Sequence, residues 1–232
     1  MLQILNINFM KETRNIIIAI IFIIIASSCT KVKTEYWENG VTMSEIRIKH
    51  DKKEGKAMYW YMNGNKQMEA FYKNDQLEGK MQRWHPNSVV ESISNYKDGK
   101  LNGKLESWDK DGNKLSEVNY LNDSLNGSYK IWYDNGVQKI IGNYKNGKYD
   151  GKWKSWDVKG FFVGEGDFNN GTGLQKNYNI KGDLVLTVEL KNNQKDGKEC
   201  WYKEKEEIAI IRYYEKGKLI KTEDFSKQAK AK

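Results

Sequence analysis

The chain has 232 residues, with 39 Lys+Arg against 31 Asp+Glu for a formal net charge of +8 at pH 7, and holds two cysteines, two histidines and one proline. So few cysteines exclude a disulfide-stapled scaffold, and the interspersed signs exclude a basic tail as the seat of function. Neither His50 nor His85 has a second ligand at metal-binding spacing, and no phosphate loop or serine or cysteine nucleophile motif is present. Catalysis needs a positioned acid, base or nucleophile, so no catalytic residue, metal or cofactor is expected.

At the N-terminus, Lys11 and Arg14 precede an apolar run from Ile16 to Ile25, followed by Ala26, Ser27, Ser28 and Cys29. A basic start, a short apolar run and small residues before a cysteine mark a secretory signal. The run is too short to settle as a helix across about 30 Å of hydrocarbon. Ser27-Ser28-Cys29 resembles a bacterial lipobox, with Ala26 where leucine is usual. That resemblance implies cleavage before Cys29 and diacylglycerol on its thiol, hence a lipid-anchored protein of the bacterial cell envelope, periplasmic or surface-facing. A stable uncleaved anchor and ordinary secretory cleavage are the alternatives. Met10 is an alternative start, because Met10 to Arg14 is a complete basic n-region. The expected division is residues 1–28 signal peptide, 29–35 a short lipid-anchored linker, 36–220 a repeat array and 221–232 a basic polar tail.

From there a 24-residue period governs the chain. Anchor glycines stand at Gly55, Gly79, Gly103, Gly127, Gly151, Gly173 and Gly197, with a single 22-residue step between Gly151 and Gly173. Five residues after each comes Trp60, Trp84, Trp108, Trp132, Trp156, Tyr178 or Tyr202, and seventeen after comes Tyr72, Tyr96, Tyr120, Tyr144, Phe168, Leu190 or Tyr214. Such a period is the signature of an array whose units bury their apolar sides against one another. Two turn signals per period, such as Asn135-Gly136 and Asn146-Gly147, bound runs of strand length, and apolar and polar positions alternate with period two. Short turns permit only antiparallel neighbours, so the expected fold is all-β. It is an elongated antiparallel meander of β-hairpins, about seven units and roughly 15 strands. A half-unit from Tyr36 to Gly40 with Ile48 starts it. The two residues missing from the short unit are expected to come out of a turn. Pro86 lies in the turn His85-Pro86-Asn87-Ser88, as a φ-presetting residue should. Asp109-Lys110-Asp111-Gly112-Asn113 looks like the start of a calcium loop, but no closing glutamate follows, and it reads as a hairpin turn. Cys200, the remaining thiol once Cys29 is lipidated, takes a position held by Gln82, Glu106, Lys130, Lys154 and Lys176, and is expected to face solvent.

The pattern of glycine, aromatic, Asn-Gly, tyrosine and Asn-Gly-Lys, cleanest in Leu101–Asp123, Leu125–Gly147 and Tyr149–Gly171, resembles the MORN repeat in its longer bacterial variant form. The resemblance covers about residues 36 to 220. It implies a binding or scaffold protein, because many such proteins are labelled YwqK-type antitoxins and the eukaryotic relatives are described as membrane-associated scaffolds. An antitoxin or immunity protein is therefore the alternative to a protein-binding scaffold, and the partners expected are the membrane, through lipidated Cys29, and a protein. Lysine rows (Lys56, Lys80, Lys104, Lys152, Lys198) read either as attraction to anionic lipid or as protection of a thin sheet. Trp153-Lys154-Ser155-Trp156 alternates aromatic and polar residues as a nucleic-acid platform does. Packing alone explains that period, so nucleic acid is not expected as a partner. The tryptophan column is either simply core or, with Tyr129, Ile131 and Trp153, an exposed patch centred on Trp108, Trp132 and Trp156.

Overall fold

The structure, a computed structural model, describes residues 30–226. The expected signal peptide, Cys29 and the end of the tail lie outside them. The described residues form a single antiparallel sheet of nineteen strands, with no α-helix and one 3-10 turn at Glu204–Glu206. Two of these strands, Gln76–Leu77 and Lys100–Leu101, are short pieces that run on into Gly79–Trp84 and Gly103–Trp108, leaving seventeen rungs. Each rung pairs with the next in chain order, and the first and last do not meet. This is the expected open meander, slightly longer than anticipated. Lys31–Tyr36 pairs with Thr42–Lys49, and Lys218–Asp224 pairs with Ile208–Glu215. The segments expected as linker and tail thus lend strands to the array, each joined by a tight glycine turn (Asn39-Gly40, Lys216-Gly217).

Cross-strand partners sort the side chains onto two faces. On one, which we call the tyrosine face, small and apolar residues stand opposite one another, as in Ala57↔Ala70 and Val118↔Tyr129, beside the tyrosines seventeen after each anchor. On the other, the tryptophan face, charged residues pair, as in Glu117↔Lys130. A single sheet cannot cover both faces, and the buried apolar residues are accordingly few: Ile46, Ala57, Ala70, Val118, Phe168, Val188, Leu190 and Cys200. The densest cluster joins Phe168, Val188 and Leu190 to Tyr149, Trp153 and Leu186.

Two irregularities recur in every full unit. After each tryptophan the returning strand carries a bulge, between Lys114 and Ser116 for example, which turns Lys114 onto the tryptophan face. At the anchor glycine the strand bulges again. Val118 pairs Tyr129 and Tyr120 pairs Leu125, so Asn119 alone lies opposite Asn126, Gly127 and Ser128. Gly127 takes φ +103, and a Cβ there would stand 3.3 Å from Cβ of Asn119. Only glycine tolerates that backbone cheaply, which explains the anchor positions other than Gly173.

The 22-residue unit shows what the bulge does. Its turn Asn170-Gly171 is intact, and Asn169↔Thr172, Phe168↔Gly173 and Gly166↔Gln175 run without a register shift. The two missing residues come from the bulge and not, as the sequence suggested, from a turn.

Successive turns are stitched along both margins of the sheet. Along the margin that follows each tryptophan, Tyr61 Oη donates to Trp84 C=O (2.8 Å), Tyr133 Oη to Trp156 C=O (3.1 Å) and Asn135 Nδ2 to Val158 C=O (2.8 Å). Along the opposite margin the backbones touch: Gly147 N–H donates to Leu125 C=O (2.8 Å) and Gly171 N–H to Tyr149 C=O (2.7 Å). Where the bulge is missing, this margin tightens. Asn193 reaches two turns back, donating Nδ2 to Gly147 C=O (2.9 Å) and accepting from Tyr149 N–H (2.9 Å).

Candidate interaction surfaces of the array

The six residues singled out from the sequence fall on opposite faces. Trp108, Trp132 and Trp156 stand on the tryptophan face, whereas Tyr129, Ile131 and Trp153 belong to the tyrosine face, where Val118↔Tyr129, Ile131↔Ile140 and Trp153↔Gly166 pair. All six are half-buried. The sheet therefore does not join them into one patch.

The tryptophan column is interleaved with a second column that sequence reasoning missed, the residues eleven after each anchor. Lys114 Nζ lies 5.8 Å from the Trp108 ring and 5.6 Å from the Trp132 ring, and Lys66 Nζ lies 5.8 Å from Trp84. Farther along, Phe162 occupies the same place, 6.3 Å from Trp156 and 5.6 Å from Tyr178. Cations over indole faces and edge-to-face rings are both attractive arrangements. The returning-strand bulge supplies the intercalation. The signal was present as a period, but its residue types vary too much (Lys66, Val90, Lys114, Gln138, Phe162, Leu184) to read as one column.

Lys114 also ties down a charge cluster. Its Nζ donates to Glu106 Oε1 (2.7 Å) and Glu117 Oε2 (2.9 Å), while Lys130 Nζ donates to Glu117 Oε1 (3.0 Å). These hydrogen bonds hold the Glu117 carboxyl down to about 2. The repeated lysines thus partly serve as counter-ions, as also in Lys56–Glu69 (3.0 Å) and Lys104–Glu106 (3.2 Å). At Tyr178, burial first and then the Glu165 carboxylate, which accepts its hydroxyl proton at 2.8 Å, push the phenol up to about 12.

On the tyrosine face the aromatics gather at the short unit. Trp153 meets Tyr149 (4.8 Å between centroids), Tyr144 (5.0 Å) and Tyr129 (5.6 Å), and Tyr149 meets Phe168 (5.4 Å). Trp153 lies over Gly142 and Phe168 over Gly166, where added Cβ atoms would stand 2.1 and 2.3 Å from ring carbons. Beside them a pocket of about 210 Å³ is lined by Ile140, Tyr149, Trp153, Phe168, Ser155 and Asn177 among others. The bland reading of Trp153, packing, accounts for its neighbours.

One group of exposed apolar side chains lies elsewhere, at and beside two neighbouring turn tips. Val158 is 51% exposed, Phe161 48%, Phe162 38% and Ile180 68%, all at the margin next to the Trp156–Phe162–Tyr178 stack. Sequence reasoning passed over them as turn residues, although Val158 and Ile180 stand where other units have Met62, Pro86, Lys110 and Asp134. The loop from Asp109 to Asn113 is a turn: Asp109 Oδ1 accepts the N–H groups of Asp111 (2.9 Å) and Asn113 (2.8 Å). Among the described residues no group of three or more His, Cys, Asp or Glu side chains could hold a metal ion. Cys200, expected at the surface, is buried at 8% exposure. Thr187 and Ile211 flank it across the sheet, and the glutamate that faces each of its counterparts in earlier units is missing.

Tandem hairpins of fixed length, stitched turn to turn in one open sheet, define a β-repeat array. Within it four consecutive stretches, residues 53–74, 77–98, 101–122 and 125–146, match the MORN repeat variant family. These include two of the three units read as cleanest from the sequence, and the same hairpin geometry continues beyond them to Asp224. No curated protein matches the chain.

Proposed function

We propose that the protein is a lipid-anchored envelope protein whose array captures a protein partner at the turn margin formed by Val158, Phe161, Phe162 and Ile180. The observation that carries this reading is the exposure of four large apolar side chains together at one margin, beside an aromatic stack. Apolar tips backed by rigid aromatics are the usual makings of a binding hot spot. The direction of the first strand supports a protein over a bilayer as the partner. Lys31–Tyr36 runs toward the turn Trp37 to Gly40, so Lys31 lies at the margin opposite the tips. A diacylglycerol on Cys29 would attach there, holding the tips away from the membrane by a strand of about 25 Å. The basic n-region, the apolar run and Ser27-Ser28-Cys29 support that anchor. The action is display and binding, without a chemical step.

Crosslinking capture from intact cells tests this. The tagged protein is compared with a Phe161→Asp/Ile180→Asp form and a Trp108→Ala/Trp132→Ala form, each shown by circular dichroism to be folded. The expected result is partner loss in the first and retention in the second. Loss only in the second returns the site to the tryptophan column, and loss in neither ends the binding role of both. A single stoichiometric partner, with protection of cells that carry the protein, converts the reading to an immunity or antitoxin protein. Several partners without protection make it a scaffold.

A further inference from the structure

Among the described residues no strand pairs with the outer edge of the last strand from Leu219 to Glu223, and Leu219 and Ile220 on it are 48% and 57% exposed. Phe225 donates its N–H to Ala209 C=O at 2.8 Å, toward the neighbouring strand. Backbone groups of a strand alternate in direction, so Glu223 and Lys221 also turn inward, and Thr222 between them turns its N–H and C=O outward. Lys221 and Glu223 stand on one side of the strand, joined by an ion pair.

These facts select one way for the edge to meet a second copy of itself. An antiparallel self-pair centred on Lys221 would set lysine opposite lysine, and one centred on Glu223 would set carboxylate opposite carboxylate. Centred on Thr222, the two Thr222 residues form a hydrogen-bonded pair. Lys221 then faces Glu223 of the second copy on either side, in the pairs whose Cα atoms approach to about 4.5 Å. Threonine pairs and opposite charges are both favourable across strands. Lysine on an edge ordinarily discourages pairing, but here Lys221 meets Glu223 within the strand and across it, and Lys218 lies at the far end. We propose that the protein forms a closed two-fold dimer through antiparallel pairing of the Lys218–Asp224 strands about Thr222. The axis lies normal to the sheet, so each face continues across the junction on its own side. The first strand carries a similar triple, Lys33-Thr34-Glu35, with an ion pair at 2.7 Å. On the reading that Cys29 carries the lipid, that strand lies beside the membrane anchor, and crosslinking at Thr222→Cys tells the two edges apart.

The test uses the full chain in mild detergent. Sedimentation is expected to give a dimer, and Thr222→Cys is expected to crosslink on oxidation, since a hydrogen-bonded pair at about 5.5 Å suits a disulfide. Lys218→Cys is not expected to crosslink, its counterpart standing about 25 Å away in this register. Lys221→Glu alone and Glu223→Lys alone are each expected to weaken the dimer about tenfold or more. An equimolar mixture of the two should restore it as a heterodimer, which also shows both variants folded. A monomer at about 100 µM overturns the proposal, because even weak specific pairing is seen there. Equal crosslinking at both cysteines, or a dimer indifferent to both charge reversals, overturns it too.

Discussion

Glu117 shows how much one position in a repeat can carry. Three units share its glutamate at this place, Glu69, Glu117 and Glu165, but Glu117 alone accepts from both Lys114 and Lys130. Its carboxyl is held at about 2, below its ordinary 4.5, so its contribution to stability is fully present above pH 4.5 and is lost as pH falls from there toward 2. Both lysines are about one-third exposed, which limits the contribution to roughly 1 kcal/mol. Glu117→Gln is therefore expected to lower the thermal midpoint at pH 7 by about 2–4 °C and to flatten its fall between pH 4.5 and 2. Melting curves that superimpose on the parent's at every pH would mean that the cluster contributes nothing. The same scale explains a misreading. Cys200 was expected at the surface because its counterparts are polar or charged, but each counterpart faces a glutamate across the sheet, whereas Cys200 lies between Thr187 and Ile211.

At the scale of the element, the bulge sets how closely a unit meets its neighbours. With it, each turn meets only the next, by a backbone hydrogen bond and side-chain bonds such as Leu101 N–H to Asp123 Oδ1. Without it, in the short unit, Asn193 gathers three turns through Gly171, Tyr149 and Gly147. The aromatic cluster on Trp153 and the Phe168, Val188 and Leu190 core assemble at the same place. Asn193 already takes φ 64, so Asn193→Gly removes the side chain without backbone strain. Loss of two part-buried hydrogen bonds should cost about 2 kcal/mol. Hydrogen exchange should show the Tyr149 amide exchanging about tenfold faster or more, with distant turns unchanged; unaltered protection at Tyr149 would show that the backbone contacts alone hold this margin.

Across the whole molecule, stability is nearly a sum of neighbouring units, as in other one-dimensional arrays. Deleting residues 77–100, one full period, brings equivalent strands into contact and should shift the circular-dichroism midpoint by no more than about 5 °C. Deleting residues 173–194 removes Val188, Leu190 and Asn193 together and should lower it by about 10 °C or more, since each fully buried apolar side chain is worth about 1.5–3 kcal/mol. Equal losses from the two deletions would mean that the short unit is no keystone. The sequence by itself determined the meander, the period, the turn positions and the alternation of faces, because glycine turns and period-two patterning act through local backbone geometry. Only the tertiary structure decided that Trp108, Trp132 and Trp156 face away from Tyr129, Ile131 and Trp153, that Lys114 and Phe162 fill the tryptophan column, and that Val158, Phe161 and Ile180 stay exposed together at one margin. The parity of side chains changes at each bulge, and exposure depends on what the next strand brings opposite, so neither could be read from a residue and its neighbours in the chain.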